Sequence, residues 1–147
     1  MKLFIITALI FFIITPVLAK EVIPGPVPAT IIKVTDGDTM KVQAQIWPGH
    51  FVVIKVRLAG IDTPEPRGKC QQEKDLAREA KQFVLKIDKA ISLTNIYLGK
   101  YAGRIIANVR TKNGNDLTRL LINNGLGRDY YGGKRQGWCE GISNAVE

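Results

Sequence analysis

Five short runs of period-two apolar pattern, interrupted once by a helical period, constrain this chain more than any other feature. "TIIKVTDGDTMKVQAQIW", from Thr30 to Trp47, reads as two strands joined by a tight turn at Asp36-Gly37. Met40, Val42, Ala44 and Ile46 alternate with Lys41, Gln43 and Gln45, as a strand with one buried face requires. "WPGH" supplies the next turn and "FVVIKVRLAG" a third strand. His50 falls in that turn and reads as exposed, with no partner nearby in sequence. Then the period changes. Leu76, Ala77, Ala80, Phe83, Val84 and Ile87 share one helical face, with charges opposite. "ISLTNIYL" and "RIIANVRT" return to the β pattern, and Asn113-Gly114 marks a turn. "LTRLLINNG" reads as a short helix that Gly125 ends. The order predicts a mainly β protein: a five-stranded OB-type barrel with two packed helices.

The 147 residues suit one such domain. Its beginning reads differently. Met1-Lys2 is a short basic start, Leu3 to Ile14 is almost uniformly apolar, and Thr15-Pro16 breaks the run. Val17-Leu18-Ala19 then offers a signal peptidase its cleavage site, so residues 1–19 are expected to be a signal peptide. The run is shorter than the ~20 apolar residues of a membrane span, and an uncleaved anchor is the other reading. Pro24, Pro26 and Pro28 make residues 20–28 an extended leader, with the barrel domain at 29–147. Loss of Lys2 with the signal takes the net charge from +8 to +7. A domain so basic attracts polyanions, although composition alone does not separate nucleic-acid binding from a merely cationic surface. Cys70 and Cys139 suit one disulfide in an exported chain, with two separately buried thiols as the alternative. Two cysteines and one histidine do not complete a zinc site without carboxylates.

Chemistry concentrates in two stretches. In "DGDT", Asp36 and Asp38 stand two apart across a glycine, able to offer oxygens to a hard cation. The same residues also make an ordinary hairpin turn. "RLAGIDTPEPRGKC", Arg57 to Cys70, is more informative. Pro64 and Pro66 fix their own φ and restrict the residues before them, which pre-sets the aim of Glu65. That suits a catalytic base, and equally a rigid surface turn with an incidental acid. Arg104, in "KYAGRIIANV", opens a strand and by itself is an ordinary edge arginine. Together these residues form a set: carboxylates for a divalent metal, one for a base, and two arginines for phosphate oxygens. Phosphodiester hydrolysis uses that inventory.

"DGDT", "VRLAGIDTPE", "KYAGR" and "LGRDYYGGKR" come in the order and approximate spacing of the thermonuclease family, and the chain resembles those staphylococcal nuclease-like proteins from about Ala29 to Tyr131. The resemblance implies an OB barrel that hydrolyses DNA and RNA with calcium. It implies that Asp38 and Asp62 bind Ca²⁺ through carboxylates and Thr63 through its backbone carbonyl, with Asp36 in the outer coordination shell. Glu65 would be the general base, and Arg57 and Arg104 would stabilise the transition state. Tyr101 and Tyr131 would flank the nucleotide, and Lys100 would join them in binding the substrate. "KYAGR" carries one residue more than the family's usual loop, so the loop must bulge to deliver Arg104, and Gly99 replaces an acidic residue. "RGKC" and "GWC" look like a shorter, cysteine-containing bacterial branch without a full third helix. If Tyr131 lies near the nucleotide, the tail returns past the site, which brings Cys139 towards Cys70.

The reading is therefore an exported bacterial nuclease, periplasmic or extracellular, dependent on Ca²⁺ and acting as a monomer on DNA and RNA. Cleavage of the 5′ P–O bond, as the resemblance implies, would leave 3′-phosphate ends. A nucleic-acid-binding OB module without catalysis is the rival, and a secreted interaction domain with a degenerate site is a third reading. Neither gives a reason for Asp38, Asp62, Glu65 and both arginines to occur together.

Overall fold

The computed structural model describes residues 21–101 and 103–139; the signal-peptide reading of residues 1–19 lies outside them. No described helix is long and apolar enough to cross a membrane. Three antiparallel strands come first: β1 (Val27–Val34), β2 (Thr39–Trp47) and β3 (His50–Leu58). After a two-residue strand, β4 (Ile61–Asp62), come α1 (Gln71–Lys86), β5 (Ala90–Leu98) and β6 (Arg104–Thr111). α2 (Leu117–Asn123) and β7 (Arg128–Asp129) complete the described elements. The barrel closes in the order β1-β2-β3-β6-β5, with β3 and β6 parallel and β5 returning antiparallel to β1. The five-stranded barrel with two helices is the expected fold. β4 and β7 add a separate two-stranded sheet that the periodicity does not show, because two residues carry no period.

Alternation explains the interior. Met40, Val42 and Ala44 of β2, Val56 and Leu58 of β3, and Ala107 and Val109 of β6 all point into one core. Ala80 and Val84 bring α1 against that core, and Leu117 and Leu121 bring in α2. Seven residues are too few for a stable isolated helix. Burial of Leu117 and Leu121 holds α2 in place, each contributing about 1.5–3 kcal/mol. Asp116 caps its start by accepting from the Arg119 N–H, and Gly125 follows its end.

Two boundaries differ from expectation. β1 begins at Val27 rather than Thr30, since Val27 and Pro28 pair with Leu93 and Ser92 of β5. The proline-rich stretch ahead of it also lies on β5: Ile23 exchanges hydrogen bonds with Ile96, and Asn95 donates to the Pro24 carbonyl. His50 opens β3 instead of sitting in a loop, and it is exposed as expected. Among the described residues no helix follows α2; residues 130–139 run as an irregular tail bonded to the start of α1 through the Cys70–Cys139 disulfide.

Candidate active site

The "DGDT" loop is built by its own polar atoms. The Thr35 and Asp36 N–H groups donate to the Thr39 carbonyl, and Asp36 Oδ1 accepts from the Asp38 N–H at 3.2 Å. That turns Asp38 inward, where it is buried. Gly37 has to be small here: a Cβ would stand 2.7 Å from Ala80 Cβ and 3.3 Å from the Thr63 side chain. The loop therefore lies directly on α1 and on the residue after Asp62. Half-buried Asp36 shapes the turn and adds negative charge beside Asp38.

β3 and β6 supply the arginines. Val56, Leu58, Ile105 and Ala107 face the core, so Arg57 and Arg104 fall on the opposite, outward face of two paired strands. Arg57 Nη1 pairs with Asp38 Oδ2 at 2.8 Å, and its Nη2 donates to the Ile61 carbonyl at 3.3 Å. One side chain thus ties the "DGDT" loop to the backbone next to Asp62. Burial pushes the Asp38 carboxyl up to about 6, against the downward pull of Arg57. Arg104 Nε is buried without a hydrogen-bond partner, and its guanidinium lies 5.1 Å from the Tyr101 ring. The loop before it closes through the Gly99 N–H, which donates to the Arg104 carbonyl, and Gly103 has positive φ.

Asp62 is held by pairing of β4 with β7, which sets it opposite Arg128. It is buried, as are Thr63 and Pro64, while Glu65 comes out to solvent. Trp138 Nε1 donates to Asp62 Oδ2 at 3.3 Å. Arg135 Nε stands 3.1 Å from Oδ1, yet its N–H is not aimed at that oxygen, which keeps no hydrogen bond. Arg135 Nη1 pairs with Glu65 Oε1 at 2.7 Å. That pair is half exposed on both sides, a class worth only about 0–1 kcal/mol. Burial opposes the Arg135 charge, but Glu65 and Asp62 outweigh it, so the pKa is raised.

Arg135, Trp138 and Glu73 carry no assigned role at the level of sequence. Arg135 stands in "LGRDYYGGKR" and Trp138 next to Cys139, but only the folded tail, bonded at Cys139 to Cys70, brings both to Asp62 and Arg135 also to Glu65. Glu73 reads as one more surface acid on α1, yet it is buried. Its Oε2 accepts from the Lys69 N–H at 3.0 Å and its Oε1 more weakly from the Glu65 N–H at 3.4 Å. It organises the turn that carries the expected base. Cys70, Glu73 and Cys139 are the one trio of potential metal donors that cluster within 4.8 Å among the described residues. Both sulfurs are spent in the disulfide, so this trio is not a metal site.

The aromatic and basic flank is less concentrated. Tyr131 is exposed and its ring lies against Gly60, beside β4. Tyr101 belongs with Arg104, and Lys100 is exposed at the same loop. A cleft of about 780 Å³ runs past Asp62 and Glu65, with Arg67, Lys69, Lys134 and Arg135 along it. The residues fit a hard divalent cation: Asp62 Oδ1 is a buried carboxylate oxygen that accepts no hydrogen bond, and Asp38 is a second buried carboxylate, whose partner Arg57 also donates to the Ile61 carbonyl next to Asp62.

Comparison with curated proteins finds no match. A family model described as staphylococcal nuclease homologue matches residues 55–141. The matched segment contains Arg57, Asp62, Thr63, Glu65 and Arg104, whereas Asp36 and Asp38 precede it and join the site by geometry. Because the match spans more than half of the chain, the protein belongs to the staphylococcal nuclease homologue family.

Proposed function

We propose that this nuclease-family protein is an exported, calcium-dependent endonuclease that hydrolyses phosphodiester bonds of DNA and RNA with little sequence preference, as a monomer. One observation carries the reading. Arg57 joins Asp38 to the backbone beside Asp62, so two buried carboxylates from separate motifs stand with an arginine at the base of the Glu65 turn. Asp38, Asp62 and the Thr63 carbonyl would hold Ca²⁺, with Asp36 in the outer coordination shell; such oxygens in a loose set suit Ca²⁺ better than Mg²⁺. When bound, the ion would supply Lewis-acid polarisation of the phosphate.

The protein's own groups do the rest. Glu65, on its proline-fixed turn, takes a proton from water as the water oxygen bonds to phosphorus. The bond from phosphorus to the 5′ oxygen breaks in line, that oxygen is protonated from solvent, and the other fragment keeps a 3′-phosphate. Arg57 and Arg104 donate to phosphate oxygens whose charge grows in the transition state. The buried, unpartnered Nε of Arg104 supports this role, since a donor so placed lacks an acceptor until an anion arrives. Lys100 would attract the phosphate backbone, and exposed Tyr101 and Tyr131 would stack on bases. The disulfide and the apolar start of the chain support export to a periplasm or the medium.

The test is cleavage of single- and double-stranded DNA and RNA by protein starting at Lys20, in Ca²⁺, Mg²⁺ or a chelator. Cleavage is expected with Ca²⁺, with 3′-phosphate ends, and is abolished by the chelator. Glu65→Gln should lower turnover about 10²-fold or more while leaving Ca²⁺ binding intact. Undiminished cleavage in chelator overturns the metal dependence, and binding of every substrate without cleavage favours the non-catalytic OB module.

A further inference from the structure

The site already contains a cation of its own. We propose that Arg135 is a tethered counter-cation: it occupies Asp62 and Glu65 while no divalent ion is bound, and yields Asp62 when one binds. The tail and the ion then compete for one carboxylate. The inference deepens the calcium reading and rests on it.

Two contacts of Asp62 lead there. Arg135 Nε approaches Asp62 Oδ1 at 3.1 Å without a hydrogen bond, so the contact is one of charge and the oxygen's lone pairs stay open. A hard cation needs that same oxygen, and two positive charges at one buried carboxylate repel. Trp138 holds the other oxygen, Oδ2, at 3.3 Å, so the carboxylate keeps its orientation when the arginine leaves.

Arg135 is able to leave, but not to go far. Its side chain is 43% exposed and stands in an irregular segment just after Gly132 and Gly133, both at positive φ. The segment is fixed at both ends: Arg128–Asp129 pairs with Ile61–Asp62, and Cys139 is bonded to Cys70. Within it, the Arg128 guanidinium stacks 3.8 Å from the Trp138 ring and donates to the Gly137 carbonyl. A displaced guanidinium therefore stays at the rim of the cleft beside Lys134, where a phosphate is the natural new partner. Ion and polyanion would then favour each other's binding, each removing a cost from the other.

Calcium titration calorimetry without nucleic acid tests this on the wild-type protein, Arg135→Gln and Arg135→Lys. Arg135→Gln should bind Ca²⁺ about three- to tenfold more tightly at low salt, with the gain shrinking as salt rises. Arg135→Lys, which keeps the charge without the fork, should fall between the two. Equal or weaker binding by Arg135→Gln overturns the competition and leaves the calcium site standing, whereas absence of binding by all three proteins overturns both. A second readout needs no variant: the Arg135 Nε–H resonance of the wild-type protein should move on Ca²⁺ saturation, and an unmoved resonance also refutes the displacement.

Discussion

At Asp38 burial and charge oppose each other. Arg57 is 2.8 Å away, yet enclosure raises the carboxyl to about 6 from an ordinary 3.8. The linkage follows in sign. Between those two pH values the folded protein holds a proton that the unfolded chain has lost, so this group's contribution falls as pH rises. It is fully present below the unfolded value and is gone above about 6. In chelator, the stability of the wild-type protein relative to Asp38→Asn should therefore decline from about pH 4 to about pH 7. Urea denaturation of both proteins across that range measures it. A constant difference would mean that the Arg57 pairing, and not burial, sets the protonation of Asp38.

Among the elements, the start of α1 matters most to the site. Cys70 caps the helix with its sulfur facing the Glu73 N–H at 3.5 Å, and Glu73 reaches back to the turn before it. The Gly68 N–H donates to the Glu65 carbonyl at 2.9 Å, which closes that turn around the Glu73 carboxylate. A methyl group at Gly68 would overlap the carboxylate itself. Gly68→Ala should accordingly cost about 1–3 kcal/mol, the usual penalty for an overpacked site. Because the strain falls on the Glu65 turn, turnover should drop more than KM changes. Denaturant midpoints and steady-state kinetics on the same preparation check both parts, and an unchanged variant would show that Glu73 is free to move aside.

For the whole molecule, the disulfide decides where the tail goes. It joins residues 69 apart and closes a loop worth about 4 kcal/mol in the chain-entropy model. Alanine at both Cys70 and Cys139 should lower stability by up to that amount. Thiol counting on unfolded, unreduced protein should find no reactive thiol, and two would overturn the bridge. This link also separates what was legible in the sequence from what was not. The five barrel strands and α1 were legible because alternation and helical period are local, set by which residues a strand or helix can bury on one face. Asp62, Thr63 and Glu65 were legible as a group because Pro64 and Pro66 stiffen a short contiguous stretch. The Asp38–Arg57 pair was not, although both residues stood out, because only the β2–β3 register sets Thr39 opposite Arg57. The β4–β7 sheet, the Trp138 bond to Asp62 and the reach of Arg135 to Asp62 and Glu65 were further from view. Local patterning by itself determined the barrel strands, the helices and the chemistry at hand. Barrel closure and one long covalent loop decided which charges meet, since spacing along a chain carries no information about distance across it.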